Sequence, residues 1–300
     1  MIKLTFKDKE LLVDESYVLN NKLNKWKNWK CSVGNYYIRI ANNGDVKWGN
    51  CAHAIYVGNI ISQDIDIQPT NKFLTCNQEF CHCFAGISLD KYSTDDSYFR
   101  SVTFKKSHDL NLYWMMDSKC NFDCWYCAPH LHSKNLTKSL DNIIVVKDRI
   151  LKILRKHSTY LNLAGGEPTL FNDLPNWCQE FEQGGKNKIF CTTNGSRSLS
   201  YLTRLSKHCE ISFSIHTHQN KLEKLIDKIN KLSYQNTKPI QVQIPCAPSE
   251  FKNLKKIIDQ IEKNRFSIRV QKLFFEDGTT MPYSKKQDEL INKINDSFTF

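Results

Sequence analysis

The sequence predicts an α/β protein with a parallel sheet, preceded by a smaller cysteine-rich segment. From residue 110 onward, six short apolar runs alternate with six longer segments whose apolar residues recur every three or four positions. Alternation of that kind builds a parallel sheet through right-handed crossovers. Residues 1–107 read differently, with Asn, Asp, Gly, Cys and only short apolar runs.

In the first segment, Tyr36–Ile40 reads as a strand, Asn42-Asn43-Gly44-Asp45 as a hairpin turn and Val46–Trp48 as the returning strand. Residues 88–100 are polar and read as a linker. Leu110–Met116 is the first strand of the second segment. A helix over 140–157 follows, its apolar face made by Ile143, Ile144, Val146, Ile150 and Leu154. Tyr160–Ala164, Lys188–Thr193, Glu210–Ile215, Ile240–Ile244 and Ser267–Phe274 are the other strands. Asp173 and Pro175 open a helix that runs to Phe181, and another covers 198–206. Leu222, Leu225, Ile226, Ile229 and Leu232 mark an amphipathic helix, as do Leu254, Ile257, Ile258 and Ile261. A last helix covers 284–295. Six strand–helix units are too few for a complete eight-unit barrel, so an open partial barrel and a doubly wound sheet both fit. In either, ligands gather at the C-terminal ends of the strands.

Composition narrows the function classes. A chain of 300 residues with 40% apolar content can bury a real core. It has no run of 18 apolar residues, so no membrane span is expected. MIKLTFKDKELLVDES has no apolar signal core, which makes the cytoplasm the expected compartment. Twelve cysteines in such a compartment favour metal or cluster ligation over disulfides where they are grouped. Cys178 and Cys209 stand alone in apolar surroundings and read as core residues. The charge of +11 comes mostly from lysines spread along helices, including 221–233 and 252–263. It reads as a solvated surface, with nucleic acid a minor alternative.

The chemistry lies at the strand ends. After the first strand comes Cys120-Asn-Phe-Asp-Cys124-Trp-Tyr-Cys127, a C-x3-C-x2-C triplet. Three thiolates on one loop suit three irons of a cubane and leave the fourth iron open. A zinc knuckle with His130 or His132 as fourth ligand is the alternative. Ala164-Gly165-Gly166-Glu167-Pro168 ends the second strand: the glycines allow close backbone approach, and a carboxylate there can meet an ammonium group. Thr193-Asn194-Gly195 ends the third strand, and Ser212, Ser214 and His216 alternate along the fourth on one polar face.

The triplet after the first strand and Gly-Gly-Glu-Pro after the second resemble the radical S-adenosylmethionine superfamily, over about residues 108–275. The resemblance implies a partial (β/α)6 TIM-type barrel at 108–275, with a Cys-rich module at 1–107 and a C-terminal helical extension at 276–300. Cys120, Cys124 and Cys127 would hold a 4Fe–4S cluster whose fourth iron S-adenosylmethionine chelates. Tyr126 would neighbour the adenine. Gly165, Gly166 and Glu167 would receive the methionine amino group, and Ser212 and Ser214 the ribose or carboxylate. Asn194 and Gln243 are further candidates for that pocket. The implied activity is reductive cleavage to a 5′-deoxyadenosyl radical that abstracts a substrate hydrogen, fed by an electron donor such as flavodoxin or ferredoxin.

Cys31, Cys51, Cys76, Cys81 and Cys83 form a second set. With Gly34, Asn43-Gly44-Asp45 and Gly58, they resemble the opening of a SPASM or twitch module, which implies a second 4Fe–4S cluster on four of the five. The segment precedes the barrel where such modules normally follow it, and its Gly44-to-Cys51 spacing is longer. A zinc site on four of these cysteines, or on three with His53 or His82, is the alternative. SPASM- and twitch-bearing relatives point to a peptide or protein substrate. RNA modification, activation of a glycyl-radical partner and non-catalytic metal binding are the other readings.

Overall fold

The computed structural model describes residues 2–6, 9–13, 15–51, 54–70, 72–81, 87, 89–93, 101–104, 108–127, 132–218, 222–236, 238–261, 265–273 and 280–297. Contacts divide the chain into two compact units. The first is Met1–Met115, Lys138–Leu161 and Gly184–Asn187, and the second is Met116–Thr137, Asn162–Gln183 and Lys188–Phe300.

The first unit opens with β1 (Ile2–Phe6), β2 (Lys9–Val13), α1 (Glu15–Asn20) and β3 (Lys30–Cys31). Then come β4 (Tyr37–Ile40), β5 (Asp45–Trp48), β6 (Ile55–Asn59), β7 (Leu74–Thr75), β8 (Lys91–Tyr92), β9 (Ser101–Phe104) and β10 (Leu110–Met115). Six of these form a sheet ordered β2-β1-β9-β8-β3-β7. The expected hairpin is β4–β5, and β4 also pairs in parallel with β10. The expected linker at 88–100 is corrected in part. Lys91–Tyr92 is a strand paired with β3 and β9, and Leu89 and Lys91 are buried, whereas residues 88 and 94–100 lie outside the described residues. Its Ser, Thr and Asp residues made that stretch look solvated, yet the Lys91 side chain turns inward.

Helix α2 (Leu140–Lys156) starts at Ser139, whose hydroxyl accepts the Asn142 N–H. It buries Ile143, Val146, Ile150, Ile153 and Leu154. Ile144 was expected on that face but is 39% exposed, because the buried stripe steps through 143, 146 and 150 and passes it by.

β11 (Thr159–Ala164) leads into the second unit. There follow α3 (Leu174–Gln183), β12 (Lys188–Thr193), α4 (Leu199–Ser206), β13 (Glu210–Ser214), α5 (Leu222–Gln235), β14 (Ile240–Cys246), α6 (Phe251–Gln260), β15 (Ser267–Lys272) and α7 (Lys285–Ser297). β12, β13, β14 and β15 pair in parallel in that order. With β10 and β11 before them, six strands alternate with helices, the mixed α/β succession of a partial TIM-type barrel. Cys178, Cys191 and Cys209 are fully buried in this unit and hydrogen-bonded through Cys209, and Cys246 is fully buried too. No described helix is long and apolar enough to cross a membrane.

Candidate metal centre

The triplet loop is clamped to the second unit by its own backbone. Buried Asp117 accepts the Lys119 N–H at 2.8 Å and the Thr137 hydroxyl at 2.8 Å, which closes the loop at both ends. Ser133 crosses the middle: Cys120 N–H donates to its carbonyl at 2.8 Å, and its own N–H donates to the Ser118 carbonyl at 2.7 Å. Within the loop, Cys127 N–H donates to the Cys124 carbonyl at 3.0 Å. The Phe122 N–H points at Cys120 Sγ across 3.4 Å.

The glycine pair lies under this loop. Gly166 N–H donates to the Asp117 carbonyl and Glu167 N–H to the Lys119 carbonyl, each at 2.8 Å. A Cβ on Gly165 would stand 2.3 Å from the Asp117 oxygen, and one on Gly166 2.2 Å from the Lys119 oxygen. Only glycine lets the strand end and the cysteine loop share that space.

Glu167 is buried, and its carboxylate serves the protein's own donors. Oε1 accepts the Thr169 N–H at 3.0 Å, the Thr169 hydroxyl at 2.5 Å and the Thr193 hydroxyl at 2.7 Å. Oε2 accepts the Asn194 N–H at 2.7 Å and keeps one lone pair. Burial pushes its pKa up, and these donors oppose the shift. Sequence reasoning offered this carboxylate to a ligand ammonium and missed its role between the ends of β11 and β12. A threonine two residues on and a Thr-Asn at the next strand end were the signal for it.

Buried Asn194 reaches toward the triplet, its Nδ2 lying 2.9 Å from Asn121 Oδ1 and 4.0 Å from Cys120 Sγ. Ser212 is fully buried, and its hydroxyl is among the few buried polar groups of the described residues that find no partner. Ser214 stands beside Gln243 in the β13–β14 register, and Gln243 Oε1 accepts Gln271 Nε2 at 3.1 Å. The Tyr126 hydroxyl lies 2.6 Å from His216 Nδ1, and their rings stack at 5.9 Å. Burial, with His218 nearby, pushes His216 down to about 4. Trp125 donates to Glu250 at 3.4 Å, and the Thr217 hydroxyl bonds the same carboxylate. His216 was legible on its strand, but His218, Thr217 and Glu250 were not.

The three thiols face a desolvated setting. Burial pushes Cys124 up to about 12, and the charges of Cys120 and Cys127 add to the shift. Burial raises Cys120 and Cys127 as well. Among the described residues, no three or more His, Cys, Asp or Glu side chains already form a metal-ligand set. The donor set nevertheless fits a cubane held by three thiolates, and the unpartnered Ser212 hydroxyl and the glycine cradle fit a polar ligand beside it. Of the alternative zinc ligands, His132 stands 3.7 Å from Asp123, and His130 lies outside the described residues.

In the first unit, Cys31 is buried opposite Lys91 and Leu74, with Cys51 packed against the same apolar cluster. Burial raises the Cys31 thiol; Lys91 lowers it, and Cys51 and Cys76 raise it further. Cys81 packs against the cluster around Trp26. Cys83, His53 and His82 lie outside the described residues.

Residues 117–238 match the model of the Radical SAM superfamily. The chain is 32% identical over 103 residues to the Probable GTP 3′,8-cyclase of Saccharolobus islandicus (strain L.S.2.15 / Lassen #1), covering 32% of each chain. It is 26% identical over 160 residues to the Probable GTP 3′,8-cyclase of Metallosphaera sedula, covering 48% of this chain and 49% of that one. The matches thus span about a third to a half of the length of these curated relatives. Among solved structures, Streptococcus suis SuiB bound to S-adenosylmethionine aligns with a TM-score of 0.46 at 17% identity, covering 62% of this chain and 48% of that one. A radical SAM methyltransferase from Sphaerobacter thermophilus aligns with a TM-score of 0.45 at 13% identity, covering 72% of each. With its cysteine triplet and glycine pair inside the matched stretch, the chain carries a radical SAM domain.

Proposed function

We propose that this chain is an enzyme that starts radical chemistry on a peptide or protein substrate. The observation that carries the reading is the clamped Cys120–Cys127 loop laid on Gly165 and Gly166, inside the stretch matched by the family. When bound, the 4Fe–4S cluster and S-adenosylmethionine supply a 5′-deoxyadenosyl radical that abstracts a substrate hydrogen. Cys120, Cys124 and Cys127 hold the cluster, and Asp117 and Ser133 fix their loop. Gly165, Gly166 and the remaining lone pair of Glu167 receive the methionine amino group. Ser212, Ser214, Asn194 and Gln243 bond the ribose and carboxylate. Tyr126, held by His216, offers its ring to the adenine.

Residues 1–107 form a Cys-rich module with a second cluster on four of Cys31, Cys51, Cys76, Cys81 and Cys83, ahead of the barrel at 108–275 and the extension at 276–300. A flavodoxin or ferredoxin in the cytoplasm supplies the electron. A nucleoside triphosphate substrate is the second reading, favoured by the name of the curated relatives. Release of 5′-deoxyadenosine under dithionite tests the activity, and undiminished release from a chain with all three of Cys120, Cys124 and Cys127 changed to Ala would overturn it. Release stimulated by GTP rather than by candidate peptides would decide for the second reading.

A further inference from the structure

The turn that follows β12 is held from two directions. Its N–H groups are served close by: Asn194 N–H donates to Glu167 Oε2 at 2.7 Å, Gly195 N–H to the Thr193 hydroxyl at 3.1 Å and Ser196 N–H to Asn194 Oδ1 at 3.0 Å. Two of its carbonyls are served by one side chain of α5. Lys228 Nζ donates to the Gly195 carbonyl at 2.8 Å and to the Arg197 carbonyl at 2.7 Å. Leu225, three residues before Lys228 on the same helix, lies so close to the turn that a Cβ on Gly195 would stand 2.6 Å from its Cδ1. The Arg197 side chain is engaged elsewhere, 2.7 Å from Asn172 Oδ1 and 4.5 Å over the Tyr201 ring.

Water can serve the carbonyls of a surface turn. Lys228 instead brings a half-buried ammonium to them, and burial lowers its pKa. Its hydrogen bonds go to these neutral carbonyls, and no carboxylate among the described residues pairs with it. Desolvating a charged group for that purpose has a cost. What the turn carries supplies the reason. Asn194 is buried, and its Nδ2 lies 2.9 Å from Asn121 Oδ1 and 4.0 Å from Cys120 Sγ. Asn194 directly precedes the stretch that Lys228 grips, and its own Oδ1 is tied to Ser196 inside that stretch.

We infer that Lys228 is a positioning residue for S-adenosylmethionine, fixing the Gly195–Arg197 turn and through it the Asn194 side chain beside Cys120. The inference rests on the proposed function, which gives Asn194 to the ribose and carboxylate of that ligand. Lys228 touches neither ligand nor cluster. It acts only through the two carbonyls, so its effect should vanish when Asn194 has no side chain amide to place.

The test is a double-mutant cycle on the full chain, reconstituted anaerobically: wild type, Lys228→Met, Asn194→Ala and the pair together. Iron content, urea midpoint, S-adenosylmethionine affinity by equilibrium titration and release of 5′-deoxyadenosine under dithionite are read for each. Lys228→Met should load the same iron and bind S-adenosylmethionine about two- to tenfold more weakly, on the scale of one misplaced hydrogen bond. Its KM for S-adenosylmethionine should rise while kcat stays near the wild type. Lys228→Arg, which can still donate to both carbonyls, should restore the affinity. In the Asn194→Ala background, Lys228→Met should weaken binding no further. Wild-type affinity in Lys228→Met, or losses that simply add in the double variant, overturns the inference. If Lys228→Met does not fold, Lys228→Gln, which keeps one donor, takes its place in the cycle, and failure of both to fold overturns the inference in favour of a purely structural lysine. Wild-type affinity in Asn194→Ala removes Asn194 from the pocket and the inference with it, whereas a wild type that loads iron but binds no S-adenosylmethionine overturns the proposed function itself.

Discussion

Oε2 of Glu167 accepts the backbone N–H of Asn194 across 2.7 Å, so a carboxylate at one strand end holds the next strand end in place. Glu167→Ala leaves the Thr169 and Asn194 amides buried without partners and should cost about 2–6 kcal/mol, at about 1–3 per orphaned group. Glu167→Gln keeps one acceptor and should cost less while still weakening S-adenosylmethionine binding. Urea unfolding and an equilibrium titration separate the two effects. A wild-type urea midpoint in Glu167→Ala would remove the clamp from this account.

Gly165→Ala and Gly166→Ala each drive a Cβ into a backbone carbonyl of the cysteine loop. Gly165 also has φ +134, which an alanine tolerates poorly. The expected loss is about 1–3 kcal/mol for Gly166→Ala from overpacking and more for Gly165→Ala, with poorer cluster loading in both. Normal iron uptake by either variant would show that the loop does not depend on this contact.

Ser212→Ala should separate stability from binding. Its buried hydroxyl has no protein partner, so removing it should leave stability unchanged or raise it slightly. If the hydroxyl serves the cofactor, affinity for S-adenosylmethionine should fall about two- to tenfold, the equivalent of one hydrogen bond at about 0.5–1.5 kcal/mol. Lower stability with unaltered affinity would give Ser212 a purely structural role.

Iron analysis reads the two cysteine sets apart. The reconstituted chain should carry about eight irons and eight sulfides, the sum of two four-iron cubanes. Changing all three of Cys120, Cys124 and Cys127 to Ala should remove about four of each. A wild-type value near four, with stoichiometric zinc, would assign the N-terminal cysteines to zinc.

His216 should make stability depend on acid. Burial, helped by His218, holds it neutral down to about pH 4, whereas an unfolded histidine takes its proton near about 6.5. Between those values the unfolded chain binds more protons, so stability falls as pH drops through that window. Thermal midpoints of wild type and His216→Asn should therefore converge as pH falls from about 6.5 to about 4. Parallel curves would show that the imidazole is not protected.

The barrel half was legible because its helices and strands repeat with clean periods. Lys188–Thr193 was read with its bounds unchanged, and α2 differed by one residue at its end. Ile144 misled because an isoleucine beside a buried one looks equally apolar, and only the pitch of the helix tells them apart. The first half was harder. β1 pairs with β9 over a long sequence separation, and β8 holds only two residues, so local pattern carries little trace of these pairings. At the site, residue types announced the triplet and the glycines. Beyond Thr169, the contacts of Glu167 depend on the Thr193 hydroxyl and the Asn194 amide at the neighbouring strand end, which no local spacing encodes.

The buried thiols of Cys178, Cys191, Cys209 and Cys246 have a practical consequence for anyone handling the protein. A thiol-reactive dye cannot meet them while the second unit stays folded, because no sulfur reaches solvent. Each becomes reactive only when the packing around it opens. Their labelling rate is therefore an internal clock for opening of the second unit.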